Sequence, residues 1–238
     1  MGRPQSAVRG WLTVAAVIAV LVAVNVGNHW IHSVVHDLVV PIAAVALVVI
    51  CWVSGMTMAE LGLSRSQMGS GLRLGAAIAL LILVVVVIVA IVPWTRSFML
   101  NDRYKDVSSA LLSAFVIIPL QTAIPEELIF RGVLFAALRR VLSVRGVVIV
   151  DSLLFGMWHV VSSLGLTAGN SGLSGALGSG VFAQMIGIVG AVIATAFAGL
   201  VFCWLRLRSD SVLAPIMVHW SLNASGALAS ALAWRFGG

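Results

Sequence analysis

The chain has 238 residues, is 61% hydrophobic and only 9% charged, and carries a formal net charge of +6. A soluble domain has roughly 25% charged residues, so a water-soluble globular fold is excluded. The basic residues sit at the ends of apolar segments, with no basic stripe interleaved with aromatics, which excludes a nucleic-acid surface.

The apolar segments follow one another along the whole chain. A crossing needs about 20 apolar residues, and the candidates are Trp11–Val26, Leu38–Val53, Leu72–Pro93, Val107–Val141, Gly146–Ser162, Val181–Leu205 and Ser211–Trp234. Arg3 and Arg9 precede the first in the manner of a secretory leader, but no small-x-small cleavage site follows, so a retained signal anchor is expected. Between the first two segments His29, His32 and His36 fall at i, i+3 and i+7, with Asn28 and Asp37 beside them. That spacing suits a metal. The stretch is nevertheless a short connection where polar residues belong, and a surface role is the reading adopted. Ser54–Gly71 mixes Met, Leu and charge and is expected along the membrane surface.

The segment Val107–Val141 would run about 52 Å as one helix, against a hydrocarbon core of about 30 Å. Pro119 and Pro125 are expected to break or kink it, giving seven or eight spans in all. Gly165–Gly180, rich in Gly and Ser, reads as a mobile loop or gate. Gly71/Gly75 and Gly187/Gly190 read as helix-packing positions. Cys51 and Cys203 lie in separate apolar segments, without metal or redox spacing, and read as small buried hydrophobes.

The fold expected is therefore all-α: a polytopic membrane protein of seven to eight transmembrane helices enclosing an intramembrane polar cavity. Residues 1–106 supply N-terminal spans and the surface segment, and residues 107–238 form the core as one structural unit. Taken as seven spans, Arg3, Arg9, Arg65, Arg73, Arg139, Arg140, Arg145, Arg206 and Arg208 fall on one side. Arg96, Arg103, Lys105 and Arg235 fall on the other. The positive-inside rule then places the N-terminus in the cytoplasm of a multi-pass cell-membrane protein.

Polar residues interrupt three of these segments. Glu126 and Glu127 are followed by Arg131, and ionised groups at mid-bilayer cost about 2.5–3.5 kcal/mol on insertion scales unless they face a partner or a wet cavity. Residues four apart share a helix face, so Glu127 pairs with Arg131, while Glu126 is left to face a cavity. Pro125 is expected to open a helical segment here, with both glutamates in its first turn, where the helix dipole favours their charged forms. Phe155 and His159 share a face, as do His219 and Asn223. Asp151 lies close enough to Arg145 to reach the interface. Glu126, His159 and Asn223 stand 14, 14 and 15 residues from Arg140, Arg145 and Arg208. At 1.5 Å per residue they lie roughly 21–22 Å deep, with His219 at about 16 Å. Three helices thus place polar groups in one layer.

The order and spacing Glu126-Glu127-x-x-x-Arg131, Phe155-x-x-x-His159 and His219-x-x-x-Asn223 resemble the three motifs of the CAAX prenyl protease and bacteriocin-processing family (CPBP, or Abi) of intramembrane proteases. Arg131-Gly132 and Ala214-Pro215-Ile216 agree as well, and the resemblance covers about Ala123 to Asn223. It implies an α-helical membrane endopeptidase acting on a peptide or membrane-associated protein. By position, Glu126 would be the general base with His159 assisting. His219 and Asn223 would stabilise the oxyanion, and Glu127, Arg131 and Phe155 would support the site. Peptide hydrolysis needs such a base near water and such donors.

The family has also been described as metalloproteases, and Glu126, His159 and His219 could hold zinc with an open fourth position. There is no His-Glu-x-x-His. A metal-independent mechanism is the reading adopted, because Asn223 and Arg131 make better sense as oxyanion and carboxylate partners than as ligands. The competing functions are a non-catalytic immunity or partner-binding membrane protein and a proton-coupled transporter, the latter disfavoured because no inverted repeat is visible. Expected partners are the bilayer and the substrate, not nucleic acid; the sequence leaves the oligomeric state open.

Overall fold

The computed structural model describes residues 7–30, 36–96, 99–178 and 180–237. Among these residues the chain is helical, with no strand and a single antiparallel bridge between Asn101 and Asn170. Helices satisfy their own backbone hydrogen bonds, which hydrocarbon cannot do for them. The long elements are α1 (Ala7–Trp30), α2 (His36–Val53), α3 (Arg65–Ile91) and α4 (Val107–Arg139). They are followed by α5 (Val144–Ser162), the short α6 (Ser171–Leu177), α7 (Val181–Ser209) and α8 (Leu213–Gly237). His32 and the side chains of Asn28, His29 and His36 lie outside the described residues, so the histidine row is not placed.

Among the described residues five helices are long and apolar enough to cross a membrane: Ala7–Gly27, Arg65–Ile91, Val107–Arg139, Val144–Ser162 and Val181–Ser209. The expected seven to eight spans are thus met only in part. The apolar stretch Asp37–Val53 of α2 is shorter. Helix α8 has the length, at 25 residues, but His219, Asn223 and its serines dilute its hydropathy. Lipid-facing sides are plain on α3, where Leu80 and Leu81 are 63% and 61% exposed, and on α7, where Phe182 and Phe197 are exposed.

Helix α4 corrects the expectation that prolines break the 107–141 segment. It is one continuous rod. Two stretches in it, Ser113–Ala123 and Leu128–Leu134, have wide π-type turns, with the regular turn Ile124–Glu127 between them. Proline lacks an N–H and clashes with the carbonyl one α-turn back. The wide turns absorb this: Pro119 lies inside the first stretch, and the Ile124 N–H donates to Pro119 O, five residues back. Ala123 is itself helical (φ −64°), so Pro125 opens no new helix. The glutamates are mid-helix, and the expected help from a helix N-terminus is absent.

Small residues let the helices approach closely. A Cβ on Gly71 would stand 2.7 Å from Ser211, and one on Gly75 3.0 Å from Ala214 Cα, so α3 packs along α8 as expected. Gly187 packs on Thr167, whereas Gly190 faces open space. Gly156 sets α5 against α7, its Cβ position 2.8 Å from Ala196 Cβ and Val192 O.

Helix α7 ends at Asp210 in the left-handed region (φ 55°), and the buried Ser211 turns the chain directly into α8. The segment before α3 exposes Ser54, Thr57, Ala59 and Glu60 and anchors itself on the bundle through two apolar side chains. Met56 and Leu61 are buried in the core, and Glu60 pairs with Arg140 at 2.8 Å. Gly62, at φ +72°, has no room for a Cβ because the Arg206 guanidinium would be 2.7 Å away. Arg206 is buried there, donating to Glu60 O at 2.8 Å and to Arg131 O at 3.0 Å. The second of these bonds satisfies a carbonyl within the π-type stretch of α4. The segment 165–180 contains α6, capped by Asn170 Oδ1, which accepts from the Leu173 N–H at 3.0 Å.

Candidate active site

Three helices, α4, α5 and α7, converge on Arg131, which is fully buried. Its Nη1 donates to Glu127 Oε1 and its Nη2 to Gly199 O, both at 3.2 Å, while Nε lies 3.5 Å from Asp151 Oδ1. The guanidinium also lies over the rings of Phe155 and Phe202, 4.2 and 5.1 Å from their centroids, a desolvated cation–π arrangement. From α8, His219 Nδ1 reaches the same Glu127 Oε1 at 2.9 Å. Its imidazole stacks on Phe202 at 5.2 Å. Glu127 is thus spent on Arg131 and His219, as the i,i+4 reading requires.

Glu126 points elsewhere, toward α5. Its Oε1 accepts from Trp158 Nε1 at 3.1 Å, and its Oε2 faces His159 Nε2 at 3.8 Å without a hydrogen bond. His159 Nδ1 lies 2.8 Å from Phe155 O. A carbonyl can only accept, so Nδ1 carries a proton and Nε2 is the nitrogen turned to Glu126. The Phe155 ring meets the His159 ring edge-on at 4.7 Å, as their shared face predicts.

Asn223, expected beside His219 as an oxyanion donor, lies one turn further along α8. It is exposed and lines a separate cavity of about 450 Å³. That cavity is also lined by Thr122, one turn before Glu126, and by Asn101, Arg103, Tyr104 and Asn170. The structure brings Glu126 to His159 and Glu127 to Arg131 and His219. It hydrogen-bonds Asn223 to none of them. Among the described residues no three His, Cys, Asp or Glu side chains gather as a metal site. Both imidazoles are held at Nδ1, His159 by Phe155 O and His219 by Glu127, so each presents Nε2, the atom that either a water or a zinc ion would use.

Several participants escaped the sequence reading. Asp151 does not reach the interface: it is fully buried against Arg131, and Cys203 Sγ donates to its Oδ1 at 3.4 Å. The signal was available, since Asp151, Phe155 and His159 recur at four-residue intervals and share one face. Trp158 is held in turn by α1, where Asn25 Nδ2 donates to Trp158 O at 2.7 Å. Phe202 and Gly199 on α7 carried no polar signal.

Residues 108–225 match the family model described as type II CAAX prenyl endopeptidase Rce1-like. Comparison with curated proteins and with solved structures found no match. The matched stretch contains all three motifs, the Asp151–Arg131 contact and the wide-turned part of α4. Over residues 108–225, just under half of its length, this membrane chain is similar to the Rce1-like type II CAAX prenyl endopeptidases, in agreement with the CPBP motifs.

Proposed function

We propose that the chain is an intramembrane endopeptidase that hydrolyses a peptide bond of a peptide or membrane-associated protein by a metal-independent mechanism. One observation carries the reading: a buried carboxylate, Glu126, has one oxygen fixed by Trp158 and the other turned to His159. The 3.8 Å separation is too long for a direct hydrogen bond, and a water admitted between the two atoms would bridge them. Glu126 takes a proton from that water, and the hydroxide oxygen attacks the substrate carbonyl carbon. The proton then passes, with His159 assisting, to the leaving amine nitrogen as the C–N bond breaks. General acid–base help of this kind contributes typically about 10²–10⁴-fold.

The developing oxyanion needs donors that are already oriented. His219 is held at Nδ1 by Glu127, which leaves Nε2 for the substrate oxygen, and Glu127 compensates a second proton on that ring. Asn223 is assigned as the other donor, reaching the oxygen from the wall of the adjoining cavity. Arg131, Asp151 and Phe155 hold Glu127 and the two imidazoles in place.

The test replaces Glu126 by Ala and by Gln and compares the membrane proteomes of cells carrying each variant or the wild type. Uncut substrate accumulates with both variants, while insertion and thermal stability are retained. Normal processing by a folded, inserted Glu126→Ala protein overturns the reading. If the biological effect survives without cleavage, the chain acts as a binding partner.

A further inference from the structure

Helix α1 lies outside residues 108–225, the stretch that the family model matches. Between Thr13 and Asn28 it carries one polar side chain, Asn25. A carboxamide in hydrocarbon needs a partner, and a neighbouring helix is where membrane proteins supply it. Asn25 reaches α5, where its Nδ2 donates to the Trp158 carbonyl oxygen at 2.7 Å. Asn25 is 16 residues from Arg9, and Glu126 is 14 from Arg140. These two arginines line one cleft, so both counts start from the same end of the bundle. At 1.5 Å per residue the carboxamide and the carboxylate lie at similar depths, about 24 and 21 Å along their helices.

Trp158 is the residue whose Nε1 fixes Glu126 Oε1, and the next residue, His159, faces Glu126 Oε2. Both partners of Glu126 therefore ride on one turn of α5. That turn is close to the end of the helix at Ser162. Helix ends fray, and the Asn25 bond holds this one from outside. The hold matters because the indole has room to move. Phe130 meets it edge-on at 5.8 Å, but beside it lies an apolar cavity of about 190 Å³ whose lining includes Val22, Asn25, Phe130 and Trp158. With the Trp158 carbonyl released, the indole can turn into that space and away from Glu126.

We propose, resting on the endopeptidase reading, that Asn25 is a positioning residue for the cleavage reaction. It holds the turn that aims Trp158 and His159 at Glu126, which makes α1 more than a membrane anchor.

The test reads Trp158 directly and cleavage separately, in the full-length protein. Fluorotryptophan is incorporated, and the fluorine NMR resonance of Trp158 is identified by its loss in Trp158→Phe. Glu126→Ala deletes the acceptor of the indole N–H and sets the direction of the shift. Asn25→Leu removes the carboxamide and suits the bilayer better than Asn, and it is expected to move the resonance the same way. Cleavage is followed in proteoliposomes on a quenched peptide that spans the cut site of a polypeptide accumulating with Glu126→Ala. Asn25→Leu is expected to lower kcat about three- to tenfold, the scale of one hydrogen bond, with KM unchanged. Val22→Ala enlarges the same cavity but leaves the bond, and is expected to keep the wild-type kcat. In a Trp158→Phe background Asn25→Leu is expected to cost little more, because the two residues act through one carboxylate.

A Trp158 resonance that Asn25→Leu leaves in place, or moves the opposite way, overturns the proposal. So does wild-type kcat in Asn25→Leu, a loss confined to KM, a kcat loss that Val22→Ala shares, or one that recurs undiminished in Trp158→Phe. If Asn25→Leu fails to insert, Asn25→Ala carries the same measurements. The endopeptidase reading fails on its own terms: if no polypeptide accumulates with Glu126→Ala, that reading is removed, and the resonance still decides whether Asn25 holds Trp158 on Glu126.

Discussion

Nδ1 of His219 and Oε1 of Glu127 stand 2.9 Å apart, and this contact joins α8 to α4 at the very oxygen that Arg131 reaches at 3.2 Å. One carboxylate oxygen therefore orients a cation and an imidazole together. Glu127→Gln keeps an acceptor at that point but removes its charge. The expected result is a folded protein whose turnover falls by about 10²-fold or more, the scale for losing an organised oxyanion donor. Cleavage rates in proteoliposomes measure it; unchanged turnover would mean that the charge of Glu127 is not needed by His219.

Arg131 separates Glu127 from Asp151 in a fully buried cluster. Arg131→Met leaves two carboxylates buried without a countercharge, and the expected loss is about 3–5 kcal/mol. Adding Asp151→Asn to Arg131→Met is expected to recover part of it. Denaturation midpoints in detergent decide this, and strict additivity of the two changes would contradict the coupling.

Trp158→Phe keeps an aromatic ring at the position that meets Phe130 edge-on at 5.8 Å, but it deletes the donor to Glu126. Hydrogen bonds to charged groups contribute about 1.5–3 kcal/mol. Turnover is expected to fall at least tenfold by that measure, with expression and insertion unchanged. Wild-type turnover in Trp158→Phe would show that Oε1 of Glu126 needs no fixed partner.

Gly156 and Gly190 make a matched pair of tests. Ala at Gly156 drives a methyl into Ala196 and the Val192 carbonyl, whereas Ala at Gly190 meets nothing. Gly156→Ala is expected to destabilise by about 1–3 kcal/mol through overpacking. Gly190→Ala is expected to be neutral or slightly stabilising, since Ala is the better helix former. Thermal midpoints of the purified variants compare the two directly.

Glu60 lies outside the spans and titrates within the loop before α3. Partial burial raises its carboxyl, but the Thr57 N–H and the Arg140 side chain outweigh burial and hold it below its ordinary 4.5. A lowered folded value means that the stabilisation is complete above 4.5 and is lost as pH falls through the folded value. Because the pair is partly exposed, the effect is about 1 kcal/mol or less. Hydrogen-exchange protection of residues 54–64, corrected for the intrinsic rate at each pH, is expected to fall below pH 4.5, and Arg140→Gln is expected to flatten that dependence.

How much was legible follows the range over which each cause acts. The pairing of Glu127 with Arg131 and of Phe155 with His159 depends on four-residue spacing within one helix, and the structure repeats it. The arrangement of Trp158 on Glu126 and Phe202 on His219 depends on which helices pack together, and nothing local encodes that. Asp151 was misplaced because nearness to Arg145 in sequence was weighed above the face it shares with Phe155. Pro119 and Pro125 were read as breaks because proline opposes α-turns; the chain instead widened its turns and ran on. Asn223 was grouped with His219 by spacing, and one helical turn places it on the wall of a cavity that His219 does not line.

The wide turns of α4 give the rod an adjustable azimuth. In a regular α-helix each residue advances the facing direction by about 100°, so aim and sequence count are locked together. Ahead of Glu126, where bonds such as Ile124 to Pro119 span five residues, that lock is released. Removing one residue between Ser113 and Ala123 and restoring ordinary turns would leave the acid in the chain but let its bearing drift from His159. The protein thereby owns a vernier, upstream of Glu126, through which insertions and deletions in a distant part of the helix would retune the aim of that carboxylate.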